Sequence, residues 1–111
     1  MLFRSVRDAR VADGLRELLD AHVVEGVDLT GAAARFGVPP THLVRAFTSQ
    51  VGLPPHRYLT GRRIDRARQL LLEGMPAAEV ATAAGFYDQA HLTRHFRRML
   101  ATTPAAYARS A

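Results

Sequence analysis

One pattern of residues occurs twice in this chain. Ala33 to Gly37 and Ala81 to Gly85 each place an Ala and a Gly around three intervening residues. His42-Leu43-x-Arg45-x-Phe47 returns as His91-Leu92-x-Arg94-x-Phe96, and Pro55-x-x-Tyr58 returns as Pro104-x-x-Tyr107. The offset is 48 before the turn and 49 after it, so the second turn carries one extra residue. A lone Ala-x-x-x-Gly is common, but three matched blocks in the same order indicate an internal duplication. Whatever this chain folds into must therefore contain two similar units.

The second copy shows what the unit is. Pro76 to Phe96 reads as helix, tight turn, helix. Val80, Ala81 and Ala84 make one apolar face, and Leu92 and Phe96 repeat at i, i+4 on the following helix. Gly85 stands where the first helix must stop, because a residue without Cβ enters the left-handed region cheaply. Asp88 is placed to cap the second helix with its carboxylate. Ala81 is small enough to let the two helices cross closely. Gln89, Thr93, Arg94 and Arg97 stay outside, and their amide, hydroxyl and guanidinium groups can hydrogen-bond base edges. The duplicated unit is a helix-turn-helix.

Here a family resemblance becomes specific. Gly85-Phe86-Tyr87-Asp88-Gln89-Ala90-His91-Leu92-Thr93-Arg94-x-Phe96-Arg97-Arg98, followed by Thr103-Pro104-x-x-Tyr107, resembles the signature of the AraC/XylS family of bacterial transcription regulators. Gly37-Val38-Pro39-Pro40-Thr41-His42-Leu43-x-Arg45-x-Phe47 and Gly52-Leu53-Pro54-Pro55-His56-Arg57-Tyr58 resemble its first unit, so the likeness covers residues 8 to 109. It implies sequence-specific binding of double-stranded DNA and transcription regulation, through two recognition helices in adjacent major grooves. It also implies RNA polymerase as a partner and an effector-sensing domain upstream. Asp8-Ala9-Arg10-Val11 resembles the usual start of the DNA-binding half, so Met1 is expected to mark a cut end rather than a native start. Four positions depart from the family pattern. Ala32 replaces a larger apolar residue, Ala90 a small polar one, and Leu100-Ala101 the frequent Phe-Gly.

Charge is unevenly spread. Residues 1 to 28 carry four Arg against six acids, whereas residues 29 to 111 carry eleven Arg against four. The duplicated part, rather than the N-terminal helix, is expected to face a polyanion. There is no Lys and no Cys, and the missing Cys removes disulfides, thiol catalysis and Cys-based zinc sites. No carboxylate pair, Gly-rich phosphate loop or Ser–His–acid set is evident, so no enzyme is expected. No apolar run approaches the ~20 residues needed to span a bilayer, and there is no signal-peptide pattern. A cytoplasmic location is expected. The alternative function is a basic helical protein-interaction module that binds an acidic partner.

At 111 residues the length predicts a single domain with one core. We expect an all-α fold of about seven helices: two helix-turn-helix subdomains, residues 8–53 and 75–111, joined by a linker helix over 54–74. Met1 to Arg7 is expected to be irregular. Asp8 to Val24 has Val11, Leu15, Leu18, Leu19 and His22 or Val23 at helical spacing, with Gly26 as its end. Asp28 caps a helix over Leu29 to Phe36, where Gly31 costs about 1 kcal/mol relative to Ala. Pro40 opens a helix to Gln50 that Gly52 closes. Pro54-Pro55 starts the long helix, which reaches Glu73 and stops at Gly74. At 1.5 Å per residue that helix spans about 28 Å. Rigid joining by it would set the recognition helices about one DNA turn apart, ~34 Å.

For base reading the expected residues are Thr41, Val44 and Arg45 in the first unit and Gln89, Ala90, Thr93 and Arg94 in the second. Arg94 leads, because guanidinium pairs bidentately with guanine O6 and N7. For phosphate contact they are His42, Thr48, Arg57, Arg62, Arg63, His91, Arg97 and Arg98. Such contacts set affinity and salt dependence without carrying sequence information. His91 and His95 stand at i, i+4 but lack a third ligand, so neither a metal nor a cofactor is expected. Phe36, Phe47, Tyr58, Phe86, Phe96 and Tyr107 are expected in the core.

Overall fold

No Gly or Pro precedes Gly14, and the first helix extends back beyond the apolar stripe that begins at Val11. In the computed structural model α1 spans Leu2–Ala21, so residues 2–7 are helical rather than irregular. The structure describes residues 2–110, and the expectation about Met1 lies outside them. Among these residues six more helices follow and no strand: α2 (Leu29–Phe36), α3 (Pro40–Val51), α4 (Pro55–Leu72), α5 (Ala77–Ala83), α6 (Gln89–Leu100) and α7 (Pro104–Arg109). The fold is all-α with two helix-turn-helix units, α2–α3 and α5–α6. The chain divides into two compact parts. Unit 1 takes the chain up to His22 with Gly26–Leu59, and unit 2 takes Val23–Glu25 with the chain from Thr60 onward. The buried side chains accordingly form two clusters, not the single core that length suggests.

In unit 1, Val11, Leu15 and Leu19 of α1 pack on Ala32, Ala33, Val38, Leu43 and Phe47. Burying each large apolar side chain contributes about 1.5–3 kcal/mol. The acids of α1 also serve this unit. Asp8 lies 2.8 Å from His42 Nε2, Asp13 accepts from Gln50 at 2.7 Å, and Asp20 accepts from the Tyr58 hydroxyl at 2.7 Å. The negative balance of the N-terminal segment thus clamps α1 to α3 and to the start of α4. Asp28 caps α2 by accepting from Thr30 N–H and Gly31 N–H. A Cβ on Gly31 would sit 2.8 Å from the capping carboxylate. The helix-propensity cost of that glycine is the cost of leaving room for its own cap.

In unit 2, Ile64, Ala67 and Leu71 of α4 pack on Val80, Ala81, Ala84, Phe86, Leu92 and Phe96. Tyr107 of α7 meets Phe96 edge-on, with ring centroids 5.4 Å apart. Its hydroxyl accepts from Arg68 Nε at 3.1 Å. Among the expected core aromatics Phe47, Phe86 and Phe96 are buried, while Phe36, Tyr58 and Tyr107 pack half-buried at the edges.

The two turns close alike. Val38 N–H bonds Ala33 O and Gly37 N–H bonds Ala34 O; Phe86 N–H bonds Ala81 O and Gly85 N–H bonds Thr82 O. Each satisfies orphan carbonyls at a helix end by the same pair of contacts. The copies then diverge, because Pro39 caps α3 without a side-chain bond whereas Asp88 caps α6 by accepting from His91 N–H at 2.8 Å. Tyr87 is the residue in between that has no counterpart in unit 1.

α6 ends on Ala101, whose φ of 58° makes it the one non-glycine in the left-handed region among the described residues. The left-handed conformation that favours glycine is here adopted by alanine. A Cβ there costs about 1–2 kcal/mol, and glycine gives back about 0.4–1 kcal/mol as unfolded-state entropy. Ala101→Gly should therefore stabilise unit 2 by about 0.5–1 kcal/mol, raising its melting temperature by about 2–6 °C. A calorimetric scan that shows no rise would mean that this turn carries no strain.

Candidate nucleic-acid interface

α6 buries Leu92 and Phe96 completely, which fixes the rotation of the helix and turns the opposite stripe outward. Gln89, Ala90, Thr93, Arg94 and Arg97 then line one shallow concave strip. Positions 89, 93 and 97 follow each other at i, i+4, with 90 and 94 alongside. The strip offers an amide, a hydroxyl and two guanidinium groups. None of these four side chains has a hydrogen-bond or ion-pair partner among the described residues. Arg97 belongs to the strip; Arg98 is exposed but does not line it.

The matching face of α3 is poorer in polar groups. Leu43 and Phe47 are fully buried, Thr41 and Arg45 are exposed, and Val44 and Thr48 are half-buried. Thr48 spends its hydroxyl proton on Val44 O at 2.7 Å, one turn back along the helix. The chemistry free to face a ligand is the Thr41 hydroxyl, the Arg45 guanidinium and the Val44 methyls.

Several residues expected at phosphates are occupied within the fold. Arg63 is half-buried and donates from Nε to Val23 O at 2.7 Å and from its terminal nitrogen to Val24 O at 3.1 Å. Burial lowers its pKa, with nearby Glu25 opposing. It ties the turn after α1 to α4. α1 stops at Ala21, and the two carbonyls lie in the last turn before Gly26, where a helix leaves them without an intrahelical donor, so Arg63 satisfies them. His42 is bound to Asp8. His91 accepts the Tyr87 N–H on Nδ1 at 3.2 Å, so its ring helps to close the start of α6. Arg62 lies 3.7 Å from Asp65 in an exposed i, i+3 pair. Arg57 stands exposed in the first turn of α4.

The His91 and His95 rings meet edge-on at 4.7 Å, and both lie against Phe86. Burial, then His91, Arg98 and Arg94, holds the His95 pKa below its ordinary value. The pair acts as packing rings. Arg66, outside the expected set, donates to Ala83 O at 2.8 Å and so satisfies the end of α5. Tyr87, to which the sequence reading assigns no role, has its side chain in the open, 87% exposed.

Two helix-turn-helix units with an outward-facing second helix in each define a double helix-turn-helix domain. The helix-turn-helix domain family matches residues 32–110, and the chain belongs to that family in its AraC form. An AraC-type regulator from Chromobacterium violaceum has the same fold, with a TM-score of 0.82 and 25% identity over 92% of each chain. The DNA-binding domain of AdpA, solved with a target DNA, is 31% identical, with a TM-score of 0.80 over 89% of this chain and 90% of that one. An HTH-type transcriptional regulator of Bacillus subtilis, YbfI, is 37% identical over 76 residues, 68% of this chain and 28% of that protein. The chain spans about a third of the length of the curated relatives it matches. No helix among the described residues is long and apolar enough to cross a membrane.

Proposed function

We propose that this domain binds double-stranded DNA in a sequence-dependent way and serves transcription regulation. The observation that carries the proposal is the α6 strip, where Gln89, Thr93, Arg94 and Arg97 are turned outward with no partner inside the protein. Gln suits adenine N6 and N7, Arg suits guanine O6 and N7, and Thr suits a thymine methyl or a phosphate. Ala90 and Val44 offer apolar contact only. On α3, Thr41 and Arg45 supply a second, sparser reading face. Arg57, Arg62, Arg97 and Arg98 lead the phosphate set. His42, Thr48, Arg63 and His91, less exposed and each holding a hydrogen bond within its own unit, rank behind these exposed arginines.

In this reading α3 and α6 enter adjacent major grooves of one site. Because the two faces differ, the site is asymmetric, with two boxes ~10 bp apart. The unequal chemistry makes α6 the stronger reader. We place the protein in the cytoplasm with its DNA, and RNA polymerase follows as a partner of the bound domain. That second partner is supported by the family alone.

Selection of bound duplexes from a random pool at moderate salt tests the proposal. The expected result is a gapped, non-palindromic motif. A single enriched box would assign sequence reading to α6 alone. No enrichment, with binding indifferent to salt, would favour a basic module that binds an acidic protein.

A further inference from the structure

We propose that Tyr87 is a DNA contact that unit 2 has and unit 1 lacks, its phenol hydroxyl donating to a phosphate at the rim of the groove that α6 occupies. This rests on the proposed DNA-binding function. Tyr87 is the extra residue of the second turn: Phe86 matches Val38 in its backbone bond, Asp88 matches Pro39 as the residue before the helix, and Tyr87 lies between them.

Three observations separate it from ordinary packing. Its side chain is 87% exposed, well above any other large apolar or aromatic residue described. Its hydroxyl has no hydrogen-bond partner among the described residues. Its backbone is nonetheless held, since the Tyr87 N–H donates to His91 Nδ1 at 3.2 Å, next to the Asp88 cap. An ordered backbone carrying a large side chain that the protein does not use is poor economy for stability and good preparation for a partner. Aromatic side chains with a polar tip lose little rotamer entropy on binding.

Position selects the phosphate over a base. A recognition helix meets base edges with its N-terminal residues. Here those are Gln89, Ala90 and Thr93. A residue ahead of the cap lies off that end of the helix, where the chain leaves the groove across the sugar–phosphate backbone. The phenol is a neutral donor, so its contact adds affinity without releasing a counterion.

The test compares Tyr87→Ala, Tyr87→Phe and Arg94→Ala in titrations of a selected duplex and an unrelated one, across a salt series, with melting curves for each variant. Tyr87→Ala and Tyr87→Phe should both weaken binding about ten-fold, the usual worth of a hydrogen bond to a charged group. The loss should be alike on both duplexes, with the salt slope and the melting temperature unchanged. Wild-type affinity in Tyr87→Phe would overturn the phosphate assignment. Wild-type affinity in both Tyr87 variants, with a loss in Arg94→Ala, would remove Tyr87 from the interface and leave the function standing. Absence of DNA affinity in the wild-type domain would overturn both.

Discussion

Gly85→Ala should cost unit 2 about 2–4 kcal/mol, whereas Gly74→Ala should cost about 1 kcal/mol or less. The two glycines have nearly the same backbone, with φ of 98° and 96°. Each ends a helix in the left-handed region, and each would pay the same conformational penalty for a Cβ. Their surroundings differ. At Gly74 an added Cβ meets nothing within 4 Å. At Gly85 it would lie 2.7 Å from Arg63 Nε, 2.8 Å from Val24 O and 3.0 Å from Val24 Cα. Two of those three atoms are backbone and cannot swing aside. The Arg63 side chain is itself held by the Val23 and Val24 carbonyls, so moving it breaks two hydrogen bonds. Urea titration of both variants measures the difference as a shift in midpoint at constant slope. Equal losses would show that the close approach carries no energy and that Gly85 is needed for its φ alone.

This comparison marks where the sequence stopped being informative. That a residue without Cβ was needed at position 85 was legible, because a helix stop is a local matter. So were the Asp28 and Asp88 caps, the buried stripes of α5 and α6, and the repeat that divides the chain. Each depends on residues a few positions apart. The Arg63 contact was not legible, since it joins residues about forty positions apart. Nothing in the sequence separates Arg63 from its neighbour Arg62, yet one is half-buried against the turn after α1 and the other is exposed and paired with Asp65. The histidines repeat the lesson in a subtler form. His42 and His91 hold matching positions, and a shared role was a fair expectation. The extra residue in the second turn gives His91 a backbone N–H to accept, whereas the residue four before His42 is Val38, whose N–H is already bonded to Ala33 O, and His42 turns to Asp8 instead. The start of α1 misled for a different reason. An apolar stripe shows where a helix is packed, not where it begins, and with no breaker the helix ran on to Leu2.

Arg94→Ala should weaken binding to a selected duplex by about 1–3 kcal/mol, roughly 5- to 150-fold, and should relax preference at one base pair. The size follows from what Arg94 does not do. It is exposed, it has no ion-pair or hydrogen-bond partner among the described residues, and it lies in the strip with Gln89 and Thr93. Its removal should leave the fold intact, so that the whole effect appears in binding. Arg97→Ala is the companion change from the same strip. As a phosphate contact it should weaken all sequences alike and reduce the salt slope by about one unit. Arg63→Ala is the opposite control, because that side chain holds a turn inside unit 2, and its loss should appear first in melting. Repeating the duplex selection with each variant separates the three roles. Loss of one base preference with Arg94→Ala, against none with Arg97→Ala, would establish direct readout by α6. An unchanged motif with Arg94→Ala would strike it from the readers, leaving Gln89 and Thr93 to account for any specificity that α6 has.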